Sequence, residues 1–205
     1  MTAGVKPSPW LRHWRFSLMT GLALITAAYA LVFMFGMPPG NPIVRRRMMG
    51  SYSGRYHVAC GFLALVIGPA QLLDDWRRRY PLLHVWAGRI YMVCILFSSV
   101  AGFKVSIGAL AHPIGNAGFS VLATAWLYTA IRGWTSIRKG NIVAHRDWML
   151  RNFALTYAAP TLRVLLPSMI LLGMDGRLAL SINGYLCWIP NLIFIESRIK
   201  KKRQT

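Results

Sequence analysis

Long apolar runs separated by short polar stretches set the pattern of this chain. A helix needs about 20 mostly apolar residues to cross the hydrocarbon of a bilayer. Six runs approach that length: Phe16 to Met37, Tyr56 to Leu73, Val85 to Leu110, Gly118 to Ile137, Trp148 to Gly173 and Leu178 to Ile195. The second and the last are short. Backbone polar groups inside lipid must be satisfied within the segment, so runs of this kind predict helices. The expected fold is therefore all-α, a polytopic membrane helix bundle of about six transmembrane helices in a single domain over residues 1–205. The first run follows Lys6, Arg12 and Arg15, as a secretory signal would. It is too long for one, and the MPPGNP stretch after it offers no small-residue cleavage site, so it is expected to remain as a span.

The connections carry helix breakers: MPPGNP after the first run, Pro81 before the third, AHPIGNAG between the third and fourth, and RKGN between the fourth and fifth. None is long enough for a soluble domain.

Composition agrees. Of 205 residues 55% are hydrophobic and 14% charged, where a soluble domain carries about a quarter charged. That excludes a soluble enzyme domain and a disordered tail. Cys60, Cys94 and Cys187 stand singly inside apolar runs without a CxxC, so they read as small buried hydrophobes. The net charge of +19 comes from 24 Lys+Arg against 5 Asp+Glu. On a soluble fold it would point to nucleic acid; here the basic residues flank spans, and they point to orientation instead. With the N-terminus inside, the Lys and Arg residues crowd the cytoplasmic loops, while the outer side holds Arg45, Arg46, Arg47, Arg55 and Arg177. Both termini are thus expected in the cytoplasm of a bacterial inner membrane, with the Arg45–Arg47 run as the discordant feature.

Polar residues then acquire depths. His57 and His112 fall on the outer side, and His84 and His145 on the inner side. Helical steps from His57 reach Gly61, Ala64 and Gly68, a strip that suits close helix packing or a flat macrocycle. His84 is followed by Gly88 and Tyr91. From His145 one face runs through Met149, Asn152, Thr156 and Arg163, polar groups that lipid would penalise, so this face should look into the protein. With Gln71, Arg89, Tyr91, Arg146 and Arg151 the residues Met149, Asn152 and Thr156 make a candidate polar cavity. Arg163 and Lys104 lie inside spans with no carboxylate in the outer half of any span. Arg163 is therefore expected to meet an anion from outside the chain. The segments Leu83–Tyr91 and Ala144–Phe153 echo one another, each with a His, a Trp, an Arg and an aromatic residue in that order.

Histidines on facing helices are common haem ligands. His84 and His145 are the candidate ligands of an inner haem b iron, with His57 and Arg163 as further cofactor-binding residues. The alternation of histidines resembles that of two-haem transmembrane b-type cytochromes, in arrangement only.

The ordered runs YHVACGFLALVIGPAQLL, RRRYPLLHVWAGRIY, HRDWMLRNFAL and TLRVLLP resemble an uncharacterised bacterial family of predicted multispanning membrane proteins, a domain of unknown function. The likeness covers residues 56–167, with an extra helix at each end. It marks His57, Gly61, Gly68, Pro69, Gln71, Pro81, His84, Gly88, Arg89, Tyr91, Trp126, His145, Arg146, Trp148, Met149, Arg151 and Arg163. It does not mark His112, which leaves the outer haem without a second ligand. The family implies no activity. Three readings follow: a b-type haem protein exchanging electrons, with a quinone as partner; a small transporter or binder of an anionic lipid or solute; and a structural subunit that docks another membrane protein or a second copy.

Overall fold

The computed structural model describes residues 9–36 and 41–204. Lys6 and most of the MPPGNP breaker lie outside the described residues. Helix makes up 88% of the described residues, and no strand occurs among them. In order the helices are α1 (Pro9–Phe35), α2 (Pro42–Met49), α3 (Tyr52–Gln71), α4 (Asp74–Arg79), α5 (Pro81–Ile107), α6 (Pro113–Arg138), α7 (Ile142–Thr156), α8 (Ala158–Leu171), α9 (Gly176–Leu186) and α10 (Ile189–Arg203).

Proline sets several of these boundaries. Pro81, Pro113 and Pro190 stand in the first turns of α5, α6 and α10, where the missing N–H costs nothing. α5 and α6 therefore begin about one turn before their apolar runs. Pro160 cannot donate to the carbonyl one turn before it, and the fifth run divides there, at Tyr157, into α7 and α8. Pro190 divides the sixth run at Trp188 in the same way.

Five stretches among the described residues are long and apolar enough to cross a membrane: Phe16–Phe35, Pro81–Ile107, Pro113–Arg138, Ile142–Leu171 and Gly176–Arg203. α3, expected as a sixth, is not among them, because Ser53, Arg55 and His57 make its first turns polar. It nevertheless runs antiparallel along most of α5. His57 meets Ser98 and Gly102, Gly68 meets Tyr91, and Gln71 meets Gly88.

Four helices form a ring: α3 packs on α5, α5 on α6, α6 on α7, and α7 closes back on α3. α1 covers α3, α9 covers α6, and α10 lies on α7. In the ring α5 and α7 are diagonal to each other. The core gathers Ala64, Tyr91, Ile95, Trp126, Ala130, Leu155, Ala158, Cys187 and Trp188. On α5 the buried face carries Tyr91, Ser98, Ser99 and Gly102, while Val93, Leu96, Phe97, Val100 and Phe103 are exposed. Polar inside and apolar outside is the polarity a helix needs in lipid.

Two ends result. One holds α4 with the N-termini of α5 and α7 and the C-termini of α6 and α10, and is rich in Lys and Arg; we call it the basic end. The other holds α2, with Gly108 and Asp175.

Candidate functional site

At the basic end the first turn of α5 carries His84 and the first turn of α7 carries His145. Both histidines thus stand at the same end of the bundle, on helices that lie diagonal in the ring. His145 is oriented by its neighbour: its Nδ1–H donates to the Gly133 carbonyl of α6 at 2.9 Å. Since a carbonyl can only accept, Nδ1 carries a proton, and Nε2 is the nitrogen left to act as a ligand in the neutral ring. His84 Nδ1 is buried and has no hydrogen-bond partner among the described residues.

Two further buried donors near His84 share that condition, Gln71 Nε2 at the end of α3 and Trp76 Nε1 in α4. A side chain at Gly88, one turn beyond His84, would have its Cβ 3.3 Å from Gln71 Oε1, so glycine here lets the end of α3 come close to α5. The Trp76 ring packs on Tyr80, with centroids 5.1 Å apart, and the Tyr80 carbonyl accepts from the His84 N–H at 3.0 Å. Asp74 accepts from Arg77 at 2.9 Å and has Arg146 at 3.9 Å. The mouth thus combines imidazoles, unmatched N–H donors and two arginines.

Two turns deeper the bundle closes on hydrogen bonds. Tyr91 of α5 donates its hydroxyl proton to Asn152 Oδ1 of α7 at 2.8 Å, and lies 2.8 Å from Thr156 Oγ1. Trp126 Nε1–H donates to Thr156 Oγ1 at 2.9 Å. The Asn152 amide donates to the Trp126 carbonyl and to Thr129 Oγ1, each at 2.9 Å. Asn152 is wholly buried, and no donor in this network is left over. The polar stripe of α7 faces the protein interior, and Tyr91, Asn152 and Thr156 satisfy one another there.

The remaining residues of the expected cavity lie elsewhere. Arg151 pairs with Glu196 of α10 and covers the Trp148 ring at 4.7 Å. Arg89 lies over Trp86, also at 4.7 Å, on the exposed side of α5. Met149 fills the gap at Gly133, its Sδ 2.8 Å from the position of a Cβ there.

Toward the opposite end His57 is clasped by α5. Its Nδ1–H donates to the Ser98 carbonyl at 3.0 Å, and Ser98 Oγ–H donates back to the His57 carbonyl at 3.1 Å. The strip below it is taken up by helix packing: Gly61 faces Ser98 Oγ at 3.8 Å, and a Cβ on Gly68 would stand 2.4 Å from Phe153. No flat macrocycle fits on that face. His112 is exposed and caps α6, its backbone N–H donating to Ser181 Oγ at 2.7 Å. An outer haem on His57 and His112 therefore does not fit this arrangement. Arg163 of α8 lies under α1, its guanidinium carbon 5.0 Å from the Tyr29 ring centroid.

Trp76 and Tyr29 escaped the sequence reading. Trp76 follows two aspartates in a stretch that reads as a polar connector, and Tyr29 stands in a uniform apolar run; each gains its place only from a neighbouring helix.

The chain matches the family model of predicted membrane proteins called DUF2306 over residues 54–199, and it belongs to that family. The match spans α3 to α10, leaving α1 and α2 outside. No curated protein and no solved structure matches.

Proposed function

We propose that this chain is a membrane b-type haem protein whose one haem is held at the basic end by His84 and His145, and that the basic end faces the cytoplasm. The carrying observation is that α5 and α7, diagonal in the ring, present His84 and His145 in their first turns at the same end of the bundle. His145 is already in the tautomer a ligand needs. The donor set suits the group. Two imidazoles would hold its iron, and Gln71, Trp76, Arg77 and Arg146 would offer N–H groups to its carboxylates. When bound, the haem supplies a one-electron couple. The Tyr91–Asn152–Thr156 layer sits beneath the site and separates it from the rest of the core. Electron exchange with a quinone or a soluble reductant at this end is the activity such a site serves.

The test is the pigment. Protein purified from haem-replete cells is expected to show a Soret band that His84→Ala and His145→Ala each abolish and His112→Ala leaves intact. Colourless wild-type protein, or a band that survives both inner substitutions, overturns the proposal.

A second reading rests on the buried Gln71 and Trp76 donors, which suit the oxyanion of a lipid headgroup or solute entering at the same mouth. Quenching or shift of Trp76 fluorescence by anionic vesicles in haem-free protein, absent in Gln71→Leu, supports it.

A further inference from the structure

Among the described residues Arg163 has no counter-ion. All five acids of the chain are engaged elsewhere: Asp74 with Arg77, Asp75 with Arg78, Asp147 with Arg203, Glu196 with Arg151, and Asp175 as the cap of α9. Arg163 meets only the Tyr29 face and the Ala159 carbonyl, to which its Nη1 donates at 3.0 Å. Its Nε is buried and finds no acceptor among the described residues.

The side chain does not escape to water. On a helix the Cα–Cβ bonds tilt toward the N-terminus, and α8 runs toward the opposite end, so Arg163 leans inward. Its bond to Ala159, one turn back, holds it there. Leu171 ends α8 about 12 Å further on. A snorkelling arginine would reach the other way. The guanidinium is thus held between α8 and α1 with Nε left without an acceptor among the described residues, on the edge that carboxylates and phosphates take in bidentate pairs. Around it the outer surfaces of α1 and α8 are apolar, with Ile25 and Val164 exposed.

We propose that Arg163, roofed by Tyr29, binds the oxyanion head of an amphiphile whose apolar body lies along α1 and α8. The surrounding hydrocarbon selects an amphiphile over a free inorganic anion. Since α1 lies outside the family match, this chain completes the site with a helix the family model does not include.

The head can be the phosphate of a phospholipid or the carboxylate of a free fatty acid, and the experiment separates them. Native mass spectrometry of protein washed in neutral detergent is expected to retain one anionic amphiphile per chain, its mass giving the source. Arg163→Met should lower occupancy about tenfold, a change equivalent to 1.4 kcal/mol. Arg163→Lys should retain part of it, and Lys104→Met, at an exposed cation, should retain all. Should Arg163→Met not fold, the wild-type protein in phosphatidylcholine nanodiscs decides. Its unfolding temperature should rise with added phosphatidylglycerol or with added oleate. Equal retention by wild type and a folded Arg163→Met, or no rise with either probe, overturns the proposal.

Discussion

Asn152 concentrates more of this bundle's polar bonding than any single position on α7, since its two amide groups join α5, α6 and α7. Interhelical hydrogen bonds in membranes average about 0.6 kcal/mol and reach about 1.7, whereas a buried polar group left without a partner costs about 1–3 kcal/mol. The two magnitudes rank the substitutions. Tyr91→Phe keeps the shape and leaves Asn152 Oδ1 without its donor, so it should cost about 1 kcal/mol. Asn152→Leu removes three interhelical bonds while Thr129 keeps its own bond to the Trp126 carbonyl, so at about 0.6 kcal/mol for each bond it should cost about 2 kcal/mol. Unfolding in mixed micelles, followed by helicity, checks the order; equal costs would contradict it. The stripe Met149, Asn152, Thr156 was legible in the sequence because periodicity places it on one face. Its self-satisfaction was not, since that depends on Tyr91 and Trp126 arriving from other helices. The expected cavity dissolved for the same reason at Arg151: Glu196, its partner, stands 45 residues away in the chain.

Between elements, glycines decide how near the helices come, and they do not all act alike. α6 and α9 meet backbone to backbone: a Cβ on Gly118 would stand 2.6 Å from the Gly184 carbonyl oxygen, and one on Gly115 2.4 Å from Ser181 Cα. Backbone cannot yield as a side-chain tip can, so Gly118→Ala must push α9 away and should lower the unfolding temperature despite alanine's better helix propensity. Gly61→Ala meets only Ser98 Oγ at 3.8 Å and should be neutral or stabilising, by up to about 1 kcal/mol from helix propensity. Opposite signs for these two changes in a thermal melt are the expected result. The six runs foretold the helices because hydrocarbon demands length and apolarity from each one separately. They did not foretell the breaks at Tyr157 and Trp188, where a single proline acts, nor that α3 holds its place by packing along α5 despite polar first turns.

At the scale of the whole molecule the charge distribution makes a claim about orientation. The basic end collects Arg77–Arg79, Arg132, Arg138, Lys139, Arg146 and the α10 run Lys200–Arg203, which predicts that it faces the cytoplasm. Against this stands the Arg45–Arg47 run at the other end, and the fold gives it a different use. Arg45 Nε–H donates to the Phe33 carbonyl in the last turn of α1, at 3.2 Å, beside Gly36, whose positive φ ends that helix. Arg47 Nη1–H donates to the Gly108 carbonyl at the end of α5, at 2.5 Å. Cations at helix C-termini are favourable, by about 0.3–1 kcal/mol each. Replacing Arg45 and Arg47 by Ser should therefore lower thermal stability without changing topology. A fluorescent protein fused after the C-terminus should fluoresce, and alkaline phosphatase inserted at Gly173 should be active, in wild type and variant alike. If both reporters reverse in the wild type, the basic end faces away from the cytoplasm. The proposed haem site would then have to draw its electrons from the other side of the membrane.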